Sequence, residues 1–431
     1  MATAVAFKGV VTGGTDATVR YSVLEPNGGE ITAAGNYLAP LTTGVYHVRA
    51  TSVIDPTRFA EATVSVRGYH GRIERLATPS DGYDSFAAIQ LEDGSILISG
   101  GRGLSGVHRQ AELYVPDEDR FQLVGSMAIK RMSHIMFSLP NGTVVAAGGY
   151  DITSGAGTFD PVYRSSEIYD HRTRQWTSGP EMTVPRRNHV WTTLDDATGR
   201  ILITGGIQLY GNGFGASVNT EFFDPSSMQF TPGPEMKTGR WLHTMTRLND
   251  GRVLVVGGRS NNCTGRCDVF SLSTAELYDP VTNTFRSTGS LHISRYNHTA
   301  TLLDDGRVLI LGGESTEDLG TGTDQVADIE IYDPVTESFS RAGMLHSGRG
   351  SHTATVLNDR RILLAGGERI SGIPTTSTEI YDPHKQTSVD GPDLIEHHVR
   401  AQAFRNSMTG DVIVLAGSNS YQPVQVAEVF R

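Results

Sequence analysis

A chain of 431 residues with 47 acidic against 36 basic side chains carries a formal charge of −11. That charge repels polyanions over the surface and argues against nucleic acid or an anionic membrane as partner. Forty-nine glycines, eighteen prolines and 38% hydrophobic residues describe a turn-rich globular protein with material for a core, and exclude a disordered chain.

No apolar run approaches the roughly 20 residues needed to cross a bilayer, so no transmembrane segment is expected. The start "MATAVAFKGVVTGG" lacks a charged region followed by a long apolar one, so an export signal is not expected within it. Residues 1–67 do not repeat. From Thr18 to Val66 they alternate along short runs broken by Gly and Pro, the pattern of a small β-sandwich. With "GNYLAP" followed by "GVYHVRATS", the segment resembles a bacterial immunoglobulin-like domain. Such domains have a further strand or two ahead of this point, which implies that Met1 stands inside a longer natural protein.

Residues 68–431 say one thing seven times. An apolar run closes on Gly-Gly at 100–101, 148–149, 205–206, 257–258, 312–313 and 366–367, and on Ala416-Gly417 at the end. A second signal follows each, as in "AELYD" with Glu276, and brings Glu112, Glu167, Glu221, Glu330, Glu379 and Glu428 into the same register. Within a unit, "HTATLL" and "RVLILGG" flank Asp305-Gly306, a hairpin signal. A third strand turns at an Asp-Pro pair such as Asp279-Pro280 into a fourth. Each unit is therefore expected to be a four-stranded antiparallel meander. Apolar on both faces, such units bury themselves only by stacking radially into a propeller. The last unit stops after its third strand, and "GRIERLATP" at 71–79 matches a fourth, so the N-terminal end is expected to complete it and close seven blades.

The paired glycines, the aromatic ending the third strand, and Phe121, Trp176, Phe230, Phe285 and Phe339 at one position of the fourth resemble kelch repeats, especially the bacterial, galactose-oxidase-like variety. The pattern departs at Phe86 and Ala401, which replace the inner-strand His, and at Thr387, read as replacing the fourth-strand aromatic. The fold class expected is all-β: a seven-bladed kelch-type β-propeller with a small N-terminal immunoglobulin-like β-sandwich.

Strand order puts the hairpin and Asp-Pro turns on one face, Y, and the Gly-Gly pairs with the long variable insertions on the other, X. Binding groups favour variable loops on a rigid scaffold, so X is the candidate functional face. Arg131, Arg186, Arg240, Arg295 and Arg349 stand there once per unit, with Tyr83 and His398 at the remaining positions. Two readings are open: an anion-binding ring of guanidinium groups, or structural ion pairs with the repeated Glu. His134, His189, His243, His298 and His352 read as packing residues rather than metal ligands, since Phe86 and Ala401 take the same position. The unrepeated Tyr150, Asp151, Phe159, Tyr163, Tyr210, Asn212 and Phe214 mix flat rings with amides and carboxylates, as sugar- or peptide-binding surfaces do, though loops also pack on themselves with such residues. Glu314, Glu317, Asp318 and Asp324 fit no calcium loop and read as a solvated acidic loop. Cys263 and Cys267, four apart, cannot close a zinc site. A loop disulfide, implying an oxidising compartment, is favoured over two free thiols.

No catalytic residue, metal or cofactor is expected. A copper radical site needs two Tyr, two His and a Cys joined to one Tyr, and in the family that the chain resembles one ligand comes from a domain after the propeller. The expected function is a secreted or cell-surface platform, monomeric or part of a longer surface protein, holding a glycan or protein on X. The alternative is a carbohydrate-active propeller enzyme (lyase, epimerase or oxidase-like) with its site at the mouth of the central channel.

Overall fold

The computed structural model describes residues 5–9, 18–26, 28–38, 44–66, 71–152, 160–196, 198–210, 213–262, 268–317, 325–369, 372–419 and 422–431. The alternating N-terminal segment forms two three-stranded antiparallel sheets. Val5–Ala6, Asn36–Leu38 and Glu30–Ile31 make one, and Val19–Val23, Gly44–Ser52 and Phe59–Val66 the other. Tyr37, Tyr46 and Val48 are buried. The Tyr21 hydroxyl, on the second sheet, donates to the Phe7 carbonyl beside the first at 3.0 Å.

From Gly71 onward the described residues form seven four-stranded antiparallel sheets. The fifth shows the pattern: Thr299–Leu302, Val308–Leu311, Asp328–Asp333 and Ser338–Met344 follow one another in space as in sequence. Its first hairpin turns at Gly306, whose φ of 86° suits a residue without a Cβ. Its last turn is tied by the Asp333 carboxylate, which accepts the Val335 N–H at 2.8 Å.

The second strands are buried almost end to end because each sheet lies between two others. Ile96 and Ile98 pack toward the seventh sheet, against Ile413, Leu415 and Val429, while Leu97 between them packs toward the second, against Met136, Val144 and Tyr169. A strand's period of two thus serves two neighbours at once. Each buried aliphatic side chain contributes about 1.5–3 kcal/mol.

The strand that precedes the first sheet completes the last. Ile73–Arg75 pairs with Ala427–Phe430, in the register Phe430 to Ile73 and Glu428 to Arg75. A second seam runs round the whole ring. The second small-pair glycine of each sheet donates its N–H to the carbonyl at the repeated Arg position of the next, from Gly101 to Arg131 at 2.8 Å to Gly417 back to Tyr83 at 2.8 Å. The first glycine is needed for the same contact: Gly312 has φ 60°, and a Cβ there would lie 2.5 Å from the Arg349 carbonyl oxygen.

The fourth-strand aromatics pair with the third-strand rings as the sequence pattern requires, for example Tyr278 opposite Phe285 with centroids 5.1 Å apart. One reading is corrected. In the sixth sheet the residue opposite Tyr381 is Ser388, not Thr387, because the turn keeps the same length as its counterparts.

Candidate functional site

The repeated arginines are fully buried. Each donates to the Glu on the third strand of its own sheet: Arg131 to Glu167 at 3.0 Å, Arg186 to Glu221 at 2.7 Å, Arg240 to Glu276 at 2.8 Å, and Arg295 to Glu330 and Arg349 to Glu379 at 2.6 Å. The rest of the fork holds backbone. Arg240 Nη1 reaches the carbonyls of Gly257 at 2.7 Å and Thr274 at 3.0 Å. The carboxylate in turn accepts the N–H groups of Lys237 and Thr238, in the loop that enters the sheet. In the first sheet the Tyr83 hydroxyl takes the place of Arg against Glu112, and in the seventh His398 Nε2 takes it against Glu428 at 3.0 Å. The five arginines offered as candidate ligand residues therefore lie within the wall, with their charge matched. They present no surface to an external anion, and the structural reading of the pair is the one realised.

The repeated histidines are buried as well, and burial, helped by the neighbouring Arg charge, drives all five far below the ordinary imidazole range, His352 to about 3. They are neutral cross-braces between sheets. Nε2 meets a hydroxyl of the preceding sheet, Ser99 for His134 at 3.0 Å, Thr204 for His243 at 2.8 Å, Thr244 for His298 at 2.9 Å and Thr299 for His352 at 3.1 Å. His189 differs, because Ala147 stands where Ser99 and Thr204 stand elsewhere. Replacing Ala147 with Ser is expected to supply the hydroxyl and stabilise the protein by about 1 kcal/mol. Urea titration of the pair of proteins checks it, and an unchanged midpoint overturns it.

Inner strands and histidines surround a central channel with a cavity of about 450 Å³, whose walls include His134, His189, His243, Trp191, Met136 and Met245. At its X end one residue per sheet, immediately before the inner-strand position of His, has left-handed backbone. These are Ser85, Ser133, Asn188, Leu242, Asn297, Ser351 and Arg400, with φ between 52° and 56°. Each costs on the order of 1 kcal/mol for a residue with a Cβ. Backbone bonds from sheet to sheet hold the turns in place, Ser133 N–H to Ser85 O at 2.7 Å and Arg400 N–H to Ser351 O at 2.9 Å among them.

Directly above that collar the residue after each repeated Arg pairs with the residue after the small pair: Asp84 with Arg102, Met132 with Tyr150, Arg187 with Ile207, Trp241 with Arg259, Tyr296 with Glu314, Gly350 with Glu368 and Val399 with Ser418. This layer is the unrepeated rim of the channel. Over the second to fifth sheets it is aromatic and cationic. The Arg187 guanidinium carbon lies 4.0 Å from the Tyr150 ring centroid and that of Arg259 4.5 Å from Tyr296, while Phe214 meets Trp241 edge-on at 6.4 Å. Over the fifth to first sheets it is acidic and closed by internal bonds. Arg400 Nε donates to Asp84 at 3.0 Å, and Glu314, nearly buried, accepts Asn297 Nδ2 at 2.8 Å.

Of the candidate residues, Tyr150 sits half-buried under Arg187, and Tyr163 lies 5.9 Å from the Arg131 guanidinium, its hydroxyl pKa raised by burial. Phe214 is 37% exposed at the rim. The backbone of Tyr210 pairs with Gly213 across a small X-face hairpin. Asn212, Phe159, Asp318, Asp324 and both cysteines with their proposed disulfide lie outside the described residues, as does the Tyr210 side chain. Glu314 corrects the solvated-loop reading, since it is a hydrogen-bonded rim residue. Arg187, Trp241, Arg259 and Tyr296 carry no motif of their own; the signal that marks them is that the residues after the repeated Arg and after the small pair vary from unit to unit, while the small pair itself is Gly-Gly in six of the seven.

Among the described residues no three His, Cys, Asp or Glu side chains converge as metal ligands, and the five channel histidines belong to five different sheets.

No family model matches the chain. Relatives by sequence include the Kelch repeat-containing protein kel-10 of Caenorhabditis elegans, 24% identical over 179 residues, 41% of this chain and 28% of that protein. Kelch-like protein 36 of Mus musculus is 26% identical over 219 residues, 50% of this chain and 33% of its own. Galactose oxidase of Gibberella zeae is 27% identical over 271 residues, 57% of this chain and 36% of its own. Among solved structures, YjhT superposes with TM-score 0.55 at 14% identity, over 74% of this chain and 99% of that one. A fungal alcohol oxidase in complex with copper gives 0.63 at 15%, over 84% and 76%. The seven-sheet part of the chain is a β-propeller, and the kelch-repeat relatives support its kelch type. The chain spans about a third of the length of the curated relatives it matches, and at these identities the structural likenesses establish this propeller's fold alone.

Proposed function

We propose that residues 68–431 form a seven-bladed propeller, carried behind an immunoglobulin-like domain of residues 1–67, that works as a secreted or cell-surface binding platform. The ligand, a glycan or a protein, lies on X at the channel rim. One observation carries this reading. Every titratable residue that the repeat supplies toward the channel is neutral or already paired, whereas unrepeated aromatic and cationic side chains collect at the rim. Binding surfaces of rigid scaffolds are built from such unrepeated groups. The kelch relatives support the same direction.

Affinity electrophoresis against neutral and acidic polysaccharides, with pull-down from a surface-protein fraction in parallel, tests it. Joint replacement of Tyr210 and Phe214 by Ala is expected to abolish retention of a bound ligand while leaving the melting temperature within about 2 °C, the scale expected of surface changes. A large stability loss assigns the pair to loop packing instead. The likeness to galactose oxidase favours a second, oxidase-like reading. Turnover of a retained sugar, detected as aldehyde or cleavage products, would select it.

A further inference from the structure

Resting on the platform reading, we propose that Arg187 and Arg259 form a subsite for the carboxylate of an acidic glycan, a uronate chain. Both guanidinium groups are half-buried and stacked on tyrosine rings, at 4.0 Å and 4.5 Å. A guanidinium with one face covered by a ring keeps its N–H edges in its own plane, the geometry that grips a carboxylate with two parallel bonds. Neither arginine belongs to an ion pair among the described residues, and the Nε of each is buried without a hydrogen-bond partner there. Two other arginines of the collar and rim, Arg400 and Arg102, share Asp84, at 3.0 Å and 3.7 Å. In a chain of formal charge −11, two unneutralised cations on one arc of the rim stand out.

The surroundings fit a hydroxylated ring better than a peptide. Phe214, on the hairpin whose Ile207 pairs with Arg187, is exposed and braced on Trp241, which pairs with Arg259, and offers a flat apolar plate for the C–H face of a sugar. Its strand is fixed to the next hairpin by Asn261, which donates to the Phe214 carbonyl and accepts the Ala216 N–H, both at 2.9 Å. Below lie Ser133 and Asn188, half-buried on their left-handed turns, as short polar partners for hydroxyls. Across the channel, Asp84, Glu368 and Glu314 surround Arg400 and raise its pKa, Asp84 foremost, so that side repels a carboxylate. The rim thus dictates which way an acidic sugar faces.

Polygalacturonate, its fully methyl-esterified form, dextran and poly-glutamate serve as probes, each against the full chain and the variants R187Q, R259Q and F214A. The expected result is retention of polygalacturonate, loss of about tenfold in affinity with either arginine variant, a similar loss on esterification, and weakening with added salt, all at unchanged melting temperature. R400Q, whose arginine is already paired with Asp84, is expected to bind polygalacturonate like the unaltered protein. Equal retention of the esterified polymer, or indifference to R187Q and R259Q, overturns the subsite. Retention of dextran that depends on Phe214 alone overturns it but leaves the platform standing. Poly-glutamate bound through the two arginines, with no polyuronate retained, overturns the glycan assignment in favour of an acidic protein. If none of the probes is retained, the uronate subsite is wrong, and the platform reading then rests on the protein pull-down alone.

Discussion

Between pH 6.5 and 5 the protein is expected to lose stability with a slope that steepens from about two to three protons per molecule toward five. His134, His189, His243, His298 and His352 are held neutral by burial in the folded wall, whereas in the unfolded chain each takes up a proton near 6.5. A folded pKa below the unfolded one leaves stability intact above pH 6.5 and removes it as the pH falls. Each fully titrating imidazole contributes about 1.4 kcal/mol per pH unit, a limit of about 7 kcal/mol per unit for five, which is comparable to a typical domain's whole reserve within two units. Carboxylates act in the same direction but lower down. Glu337, held at about 2 chiefly by the Arg286 hydrogen bond and also by Arg252, begins to matter only below 4.5, so a loss already present at pH 5.5 belongs to the histidines. His346 runs the other way, its pKa raised by Asp390, but it is one exposed residue against five. Urea midpoints across this range measure the slope. The variant H189F, with the residue that the first unit already places there as Phe86, is expected to reduce it by about one proton. A flat profile between 6.5 and 5 overturns the assignment of buried neutral histidines.

Replacing Arg240 with Met is expected to destabilise the fold by about 3–5 kcal/mol, since it strands the Glu276 carboxylate in the wall without its counter-charge. The loss has two parts. One is the unpaired acid, and the other is the Gly257 carbonyl, which loses its Arg240 donor, while the Thr274 carbonyl keeps only the Gly257 N–H at 3.1 Å. Adding Glu276→Gln is expected to restore part of the stability but not all of it, because the amide removes the charge and still leaves the Gly257 carbonyl without the donor that Arg240 supplied. Comparing the single and double variants by urea denaturation separates the parts. A cost below about 1 kcal/mol for Arg240→Met would show that water reaches the pair, and would reopen the wall arginines to ligands.

The strands, their order and the closing partner were legible because they depend on local chemistry that seven copies repeat. Asp-Gly and Asp-Pro turns set the hairpins, β-branched runs set the strands, and an unpaired last unit called for Ile73–Arg75. The slip from Ser388 to Thr387 came from matching residue type where register alone decides. The pairing of Arg with Glu was also foreseeable, since two residues that recur together at a fixed spacing imply a contact within the unit. Their depth was not. Exposure depends on how sheets from distant parts of the sequence pack, and it turned a ring of candidate ligands into a set of internal braces.

The rim was the least legible part. Tyr150 and Arg187 are 37 residues apart in sequence, as are Arg259 and Tyr296, and they stack only because successive sheets present the same position side by side at the channel. By itself the sequence determined an all-β kelch-type propeller, the small pairs that end its second strands and the face on which variation collects, because turn propensity and strand periodicity act over a few residues. Only the tertiary structure decided which charges are spent inside the wall and that Arg187 and Arg259 stack on rings at the mouth outside any ion pair among the described residues. Burial and long-range proximity are properties of the packed ring, and no single unit contains them.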